Sequence, residues 1–380
     1  MSFLQCNPCV FVIGKEYEIL VHAKTNGIFS VIVDGVEYDP ANSGVLSSEK
    51  SFAKIRVPQE KLNAAKKYEV VFRETINRKG YFSRIADPVS VTYAFKPLEK
   101  TKDIHIYHVA DVHYAYEIAA QAAKYFGDDT DLFVVNGDIG EVESEQNYLE
   151  TSAFVGEISG GTIPVLFTRG NHDTRGHLAE KYVEYFPCNG METYYKFELG
   201  CLEGFALDCG EDKKDDHYDD HYEYPWVYGG VNKFHAFRRR ELEWIKKQDL
   251  SEDKIRFAVS HICPVQACSA NQKGSVFDIE RECYQEMNAE LERMNIGFML
   301  CGHIHHSYIL MPESEDNYLP HNYPVVVGSK LYNVKYTGGK VNPEKFYGAA
   351  IVVNKDQIEV KFVDQNFEKL DGQTYVLKTK

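Results

Sequence analysis

The chain has 380 residues, 44% of them hydrophobic and 26% charged, and a formal net charge of -15. That length has room for two domains, each with its own core, and no apolar run is long enough to cross a bilayer, so no membrane partner is expected. The acidic balance excludes a protein that grips nucleic acid through its overall field, yet leaves phosphate substrates open, because bound cations would dominate the potential at a site.

The opening Met1-Ser2-Phe3-Leu4-Gln5-Cys6 has neither a basic region nor a long apolar stretch, so no signal peptide is expected. Nine cysteines, an odd number, fit reduced thiols in a cytoplasmic protein. Cys201, Cys209 and Cys301 lie inside apolar runs, where they act as small hydrophobes. Cys6-Asn7-Pro8-Cys9 is a C-x-x-C without a second pair and is read as structural.

Residues 9–96 alternate apolar and polar in short runs. Tyr17-Glu18-Ile19-Leu20-Val21-His22-Ala23 is followed by Phe29-Ser30-Val31-Ile32-Val33 with Asp34-Gly35 as a hairpin turn. Lys67-Tyr68-Glu69-Val70-Val71-Phe72-Arg73 and Val89-Ser90-Val91-Thr92-Tyr93-Ala94-Phe95 continue the pattern. Six or seven strands without a convincing helix predict a small all-β sandwich of immunoglobulin or fibronectin type over residues 1–97, an accessory packing or docking domain without ligand-type clusters. Pro97-Leu98-Glu99-Lys100-Thr101-Lys102-Asp103 reads as the linker. Over residues 98–380 the pattern becomes strand–helix–strand, with helical spacing at 115–126, 145–158, 238–248 and 279–294. This predicts a layered α/β domain with a largely parallel sheet. Near the end, Val325-Val326-Val327, Gly348-Ala349-Ala350-Ile351-Val352-Val353 and Gln357-Ile358-Glu359-Val360-Lys361-Phe362-Val363 predict a second sheet facing the first, hence a β-sandwich flanked by helices.

Five apolar strands end on polar ligand-type residues. Leu132-Phe133-Val134-Val135 runs into Asn136-Gly137-Asp138, and Ile104-His105-Ile106-Tyr107-His108-Val109-Ala110 into Asp111-Val112-His113. Ile163-Pro164-Val165-Leu166-Phe167-Thr168 runs into Arg169-Gly170-Asn171-His172-Asp173. Ile255-Arg256-Phe257-Ala258-Val259-Ser260 ends at His261, and Ile296-Gly297-Phe298-Met299-Leu300-Cys301 at Gly302-His303-Ile304-His305. Open α/β sheets place ligand sites at the carboxyl ends of their strands. The spacing of Asp111 with His113, and of His303 with His305, sends both members of each pair to one side of an extended chain. Carboxylates, imidazoles and an amide, with one carboxylate able to bridge, are what a pair of divalent cations requires. Gly137, Gly170 and Gly302 permit close backbone approach beside these residues.

The succession D-x-H, G-D, G-N-H-D, a lone His and G-H-x-H over roughly residues 103–310 resembles the calcineurin-like metallophosphoesterase superfamily. The resemblance implies two metal ions: one held by Asp111, His113, Asp138 and His305, the other by Asp138, Asn171, His261 and His303, with Asp138 bridging. It implies Mn, Fe, Zn, Co or Ni, a metal-bridging hydroxide as nucleophile, and a phosphate ester as substrate. His172 matches the residue that protonates the leaving group or binds a phosphoryl oxygen; Asp173 is expected to orient it. Arg169 stands where some members carry a phosphate-binding arginine, with a surface ion pair as the alternative. Purple acid phosphatases carry a tyrosine ligand three positions after the bridging aspartate; Glu141 stands there in this chain, so tyrosinate–iron colour is not expected.

The segment from Glu211 to His235 is rich in Asp, Tyr and His. Tyr222, Tyr224, Trp226 and Phe234 are read as a cleft wall for an aromatic or nucleoside leaving group, with an acidic loop whose aromatics pack on the sandwich domain as the alternative, and His217 with His221 as part of a solvated loop rather than a metal pair on a helix. His306 either reaches substrate or covers the site. The expected activity is therefore cytoplasmic hydrolysis of a small soluble phosphomonoester or phosphodiester, without nucleic acid or membrane partners. A cyclic-nucleotide or other specific phosphodiesterase, and a non-catalytic protein-binding scaffold on the same fold, are the alternatives.

Overall fold

The computed structural model describes residues 2–40, 44–216, 233–265, 277–315, 317–337 and 340–379. Two mixed sheets face each other and carry helices on their outer sides. In the first, Ile104–Val109, Leu132–Asn136, Val165–Thr168 and Cys9–Ile13 are parallel neighbours, with Phe133 opposite both Tyr107 and Val165. In the second, Leu202–Leu207, Ile255–Ser260, Phe298–Cys301 and Val325–Val327 are parallel neighbours. Parallel strands covered on both faces have no wet side, which is why these segments read as unbroken apolar runs.

Strand alternation divides the side chains between layers. Ile104, Ile106, Leu132, Val134 and Leu166 meet Phe257, Val259, Phe298, Leu300 and Val326 between the sheets. Tyr107, Val109, Phe133, Val135 and Phe167 face outward to the helices Tyr116–Ala122 and Glu145–Ser159. Phe205, Ala258 and Met299 of the second sheet pack under Phe234–Ile245 and Arg281–Arg293. Helix Glu145–Ser159 starts at a capping box between Ser144 and Asn147 and stops at Gly160, whose φ of 61° suits a left-handed cap.

The residues before Pro97 enter two sheets. Gly27–Val33, Val36–Tyr38, Lys67–Asn77, Arg84–Ile85 and Val89–Ala94 form a separate small antiparallel sheet, as expected. Cys9–Ile13, Glu16–His22 and Phe52–Pro58 instead extend the first large sheet past Val165–Thr168, so strand pairing crosses the boundary drawn at residue 97. A short helix, Gln59–Ala65, also occurs in this region. Of the C-terminal strands, Val325–Val327 lies in the second sheet, but Lys345–Val353 runs antiparallel beside Ile104–Val109 in the first, and Gln357–Val363 runs antiparallel on its outer side. There they cover what would be an open edge of the parallel core.

Candidate metal centre

The loops after the five parallel strands converge. Asp111, Asp138, Asn171 and His261 are each at most 1% exposed. Asp111 (φ 52°), His113 (43°), Asp138 (54°), His303 (69°) and His305 (55°) all adopt left-handed backbone. Such conformations are unfavourable for side chains with a Cβ and persist where the surrounding structure imposes them, commonly at functional sites. Here each strand must turn sharply as it ends, and the turn swings the ligand-type side chain inward.

The side chains form overlapping groups whose ligand atoms lie within 4.8 Å of one another: Asp111, His113 and His305; His113, Asp138 and His172; Asp138, His261 and His303. His113 Nε2 is 3.1 Å from His305 Nε2, and His305 Nε2 is 3.4 Å from Asp111 Oδ1. His261 Nε2 lies 3.1 Å from Asp138 Oδ2 and 3.6 Å from Asp111 Oδ1. All seven predicted ligands are thus brought together, Asn171 through His303, whose Nδ1 is 2.9 Å from Asn171 Oδ1.

The donor set, carboxylate oxygens and imidazole nitrogens clustered within 4.8 Å, fits a divalent cation. The Asn171 side-chain amide lies 2.9 Å from His303 Nδ1 and 3.3 Å from both Asp138 Oδ2 and His261 Nε2; with its nitrogen turned toward them, its oxygen accepts from Arg175 Nη2 at 2.9 Å.

A polar layer beneath the centre aims the ligands. His261 Nδ1 meets Asn136 O at 2.6 Å, which presents Nε2 to Asp138. Asn136 spans the gap between the sheets, reaching His108 Nε2, Thr168 Oγ1 and the carbonyls of Ser260 and Leu300. Such partners fix the orientation of metal-binding imidazoles. Both Asp111 oxygens accept from His303 N–H, and Asp138 Oδ1 accepts from His172 N–H at 2.9 Å.

The same packing sets proton affinities. Burial, the largest single influence, would raise the Asp138 and Asp111 carboxyls, but His261 together with His305 at Asp111, and with His172 and His113 at Asp138, outweighs it and both stay below the ordinary carboxylate range. Burial opposes the charged form of His261, yet Asp138 and Asp111 draw it up to about 10. Burial, reinforced by His261, pushes His303 down to about 4. Burial and then the Asp138 carboxylate push Asp173 up to about 7.

Two expectations change. Asp173 does not face the His172 ring: its Oδ2 accepts from the backbone N–H groups of Gly170 (2.7 Å) and Asp138 (3.2 Å), stitching together two ligand loops. The ring partner is Glu141, with Oε1 at 3.4 Å from His172 Nδ1. Arg169 is neither a surface ion pair nor turned to a phosphate; its Nε is 2.7 Å from Asp208 Oδ2 and its guanidinium lies over the rings of Tyr182 and Phe237. The cation beside His172 is Arg175, whose Nη1 is 3.4 Å from His172 Nε2. Asp212 also reaches the rim, with Oδ2 at 3.7 Å from His303 Nε2. Sequence reading missed Arg175 and Asp212; the one local signal for Arg175 is its place in Asn171-His172-Asp173-Thr174-Arg175, one turn past the ligand. His306 is exposed. His217, His221, Tyr222, Tyr224 and Trp226 lie outside the described residues; Phe234 opens the helix Phe234–Ile245 and its ring lies 5.7 Å from the Arg238 guanidinium carbon.

No curated protein matches the chain. Purple acid phosphatase PPD1 from yellow lupin (Lupinus luteus) seeds shares the fold, with a TM-score of 0.60 at 10% identity over 98% of this chain and 73% of that one. A PhoD structure gives a TM-score of 0.53 at 11% identity over 100% of this chain and 90% of that one. The sequence profile described as calcineurin-like phosphoesterase matches residues 104–307, more than half of the chain. The chain therefore belongs to the calcineurin-like phosphoesterase family, the metal-dependent hydrolases of phosphoesters.

Proposed function

We propose that this protein hydrolyses a small soluble phosphate ester, monoester or diester, at a dinuclear metal centre. Asp111, His113, Asp138 and His305 would hold one divalent ion, and Asp138, Asn171, His261 and His303 the other. Bound there, the ions supply a water acidified toward neutral pH and offset charge on the phosphoryl oxygens. The chain's own residues do the rest. Asp111 and Asp138 bring the negative charge that holds the ions, and Asn136 keeps His261 Nε2 directed at them. The His172 N–H bond to Asp138 Oδ1 places its imidazole beside the centre, and Glu141 on Nδ1 turns the ring so that Nε2 delivers a proton to the departing oxygen.

The observation that carries this reading is the convergence of five strand ends on three overlapping groups, Asp111 with His113 and His305, His113 with Asp138 and His172, and Asp138 with His261 and His303, whose ligand atoms lie within 4.8 Å of one another. Net charge of -15 and the absence of a basic groove in the sequence reading favour a small ester over nucleic acid. Eight described cysteines are free thiols, which fits a cytoplasmic location, and no described helix is long and apolar enough to cross a membrane. The test is metal content of the purified protein, paired with hydrolysis of p-nitrophenyl phosphate and bis-p-nitrophenyl phosphate under added Mn, Zn, Ni and Mg. About two metals per chain with metal-dependent turnover is expected, and the better substrate separates monoesterase from diesterase. A chain that binds no metal and turns over neither ester under any ion is the scaffold alternative, and the proposal fails.

A further inference from the structure

We infer that Arg175 is the side chain that binds a non-bridging oxygen of the phosphoryl group, and that Glu211 with Asp212 aims it. The inference rests on the phosphoesterase reading above and names a substrate contact that the sequence had placed at Arg169.

Arg175 sits at the rim of the centre, its side chain 32% exposed. Its Nε donates to Glu211 Oε2 at 2.7 Å and its Nη2 to Glu211 Oε1 at 2.6 Å, a two-point grip by a carboxylate that is itself 1% exposed. Nη2 also meets Asp212 Oδ1 at 3.1 Å. A planar guanidinium held at two nitrogens cannot rotate about its own axis, so its third nitrogen has a fixed direction. That nitrogen, Nη1, is directed at His172, 3.4 Å from its Nε2. His172 in turn belongs to the group whose ligand atoms lie within 4.8 Å of Asp138 and His113. A phosphoryl group seated on this centre with its leaving oxygen at His172 Nε2 therefore has a non-bridging oxygen within reach of Nη1.

Lys213 keeps the acidic pair from cancelling the arginine outright: its Nζ lies 2.6 Å from Asp212 Oδ1 and 3.8 Å from Glu211 Oε1. Two cations and two carboxylates interlock, and Arg175 is the cation of this set that touches His172. The anchor of the loop is equally rigid. Arg238, 1% exposed, donates to Cys209 O and to Glu211 O from beneath, so the carboxylate that aims Arg175 is tied to helix Phe234–Ile245. A donor held in place before substrate arrives needs little reorganisation, and removing one such donor typically costs about 100–1,000-fold in rate.

The experiment uses the metal-loaded protein and two probes. Inorganic phosphate binding is measured by calorimetry for wild type, Arg175→Ala, Arg175→Lys and Glu211→Gln, each with its metal content. kcat/KM is measured on p-nitrophenyl phosphate and on phenyl phosphate, a poorer leaving group. Phosphate affinity is expected to fall about 100-fold in Arg175→Ala. Lysine restores less than about tenfold of it, because an ammonium lacks the fork, and Glu211→Gln gives an intermediate loss. kcat/KM falls by the same factor on both esters, as it must for a group acting on a non-bridging oxygen. Affinity in Arg175→Ala within about twofold of wild type with metal retained overturns the inference. So does a loss confined to phenyl phosphate, which would mean that Arg175 acts only through His172. If Arg175→Ala does not fold, Arg175→Lys and Glu211→Gln decide by the same criterion. A wild type that binds metal and phosphate but cleaves neither ester defeats the phosphoesterase reading while the binding data still judge Arg175.

Discussion

Replacing Gly170 by alanine tests whether the ligand loops are held at the separations described. A Cβ there would lie 2.1 Å from Asp138 Oδ1, 2.5 Å from Asp138 N and 2.9 Å from Asp138 Cγ. The backbone of Gly170 is outside the left-handed region, so alanine loses nothing in conformation and everything in room. Neither neighbour yields easily. Asp138 N–H is bonded to Asp173 Oδ2, Oδ1 accepts from His172 N–H, and Oδ2 is 3.1 Å from His261 Nε2. Overpacking a tight site costs about 1–3 kcal/mol, and with a backbone amide among the crowded atoms about 3 kcal/mol is expected. The carboxylate that swings away also leaves the centre, lowering metal affinity by about 10–100-fold. Urea unfolding followed by circular dichroism gives the first quantity and competition with a chelating dye the second. Gly80→Ala is the control, because a Cβ at Gly80 meets nothing within 4 Å and its φ also lies outside the left-handed region. A Gly170→Ala protein within about 0.5 kcal/mol of wild type and with full metal affinity would falsify the packing described.

Asp138→Asn is expected to lose metal and turnover together, since it removes the charge shared by both groups of ligands; metal analysis beside a p-nitrophenyl phosphate assay checks it, and full metal content would exclude Asp138 as the bridge. His172→Ala should keep its metal and lose more activity on phenyl phosphate than on p-nitrophenyl phosphate, and equal losses would remove its role as proton donor. His22, 5% exposed and bonded through Nε2 to Ser152 Oγ, is held down to about 4 by burial, below its ordinary 6.5. The unfolded chain takes up this proton first, so the contribution is fully present above pH 6.5 and is lost on acidification toward pH 4, by about 2.5 kcal/mol at pH 4.5. Unfolding of wild type and His22→Gln at pH 7 and pH 4.5 measures it; equal acid sensitivity in the two proteins would show that His22 is not buried neutral.

Much of the fold was legible because parallel strands buried on both faces write themselves as apolar runs. Leu132–Asn136 and Ile255–Ser260 are recognisable for that reason, and the Ser144–Asn147 cap and Gly160 stop bracket helix Glu145–Ser159. Partnership was not legible. Cys9-Val10-Phe11-Val12-Ile13 is as apolar as any strand of the core and is fully buried, yet its parallel neighbour is Val165–Thr168, far along the chain. Local alternation cannot say whether such a strand joins a small sandwich or the edge of a large sheet. The same holds for Lys345–Val353 and Gln357–Val363, whose pattern is right but whose sheet is the first.

The candidate site divides along the same line. Ligand-type residues at strand ends inherit their position from the strand, so seven of them could be placed in sequence before any packing was known. Glu141, Arg175, Glu211 and Asp212 sit farther out, on loops whose mutual approach depends on side-chain pairing. The two arginines beside the Gly170-Asn171-His172-Asp173 block make the point. Arg169 directly follows Thr168, the last residue of a strand, and Asp208 at the end of Leu202–Leu207 captures it in the interior. Arg175 comes one short 3-10 turn later, His172–Thr174, and that turn carries it round to the Nε2 edge of the His172 ring. Proximity in sequence to a metal ligand thus favours Arg169, whereas the direction in which the backbone leaves the strand favours Arg175. A rim residue is chosen by the turn that precedes it, and the carboxylates that wait there, Glu211 and Asp212, decide what charge it presents.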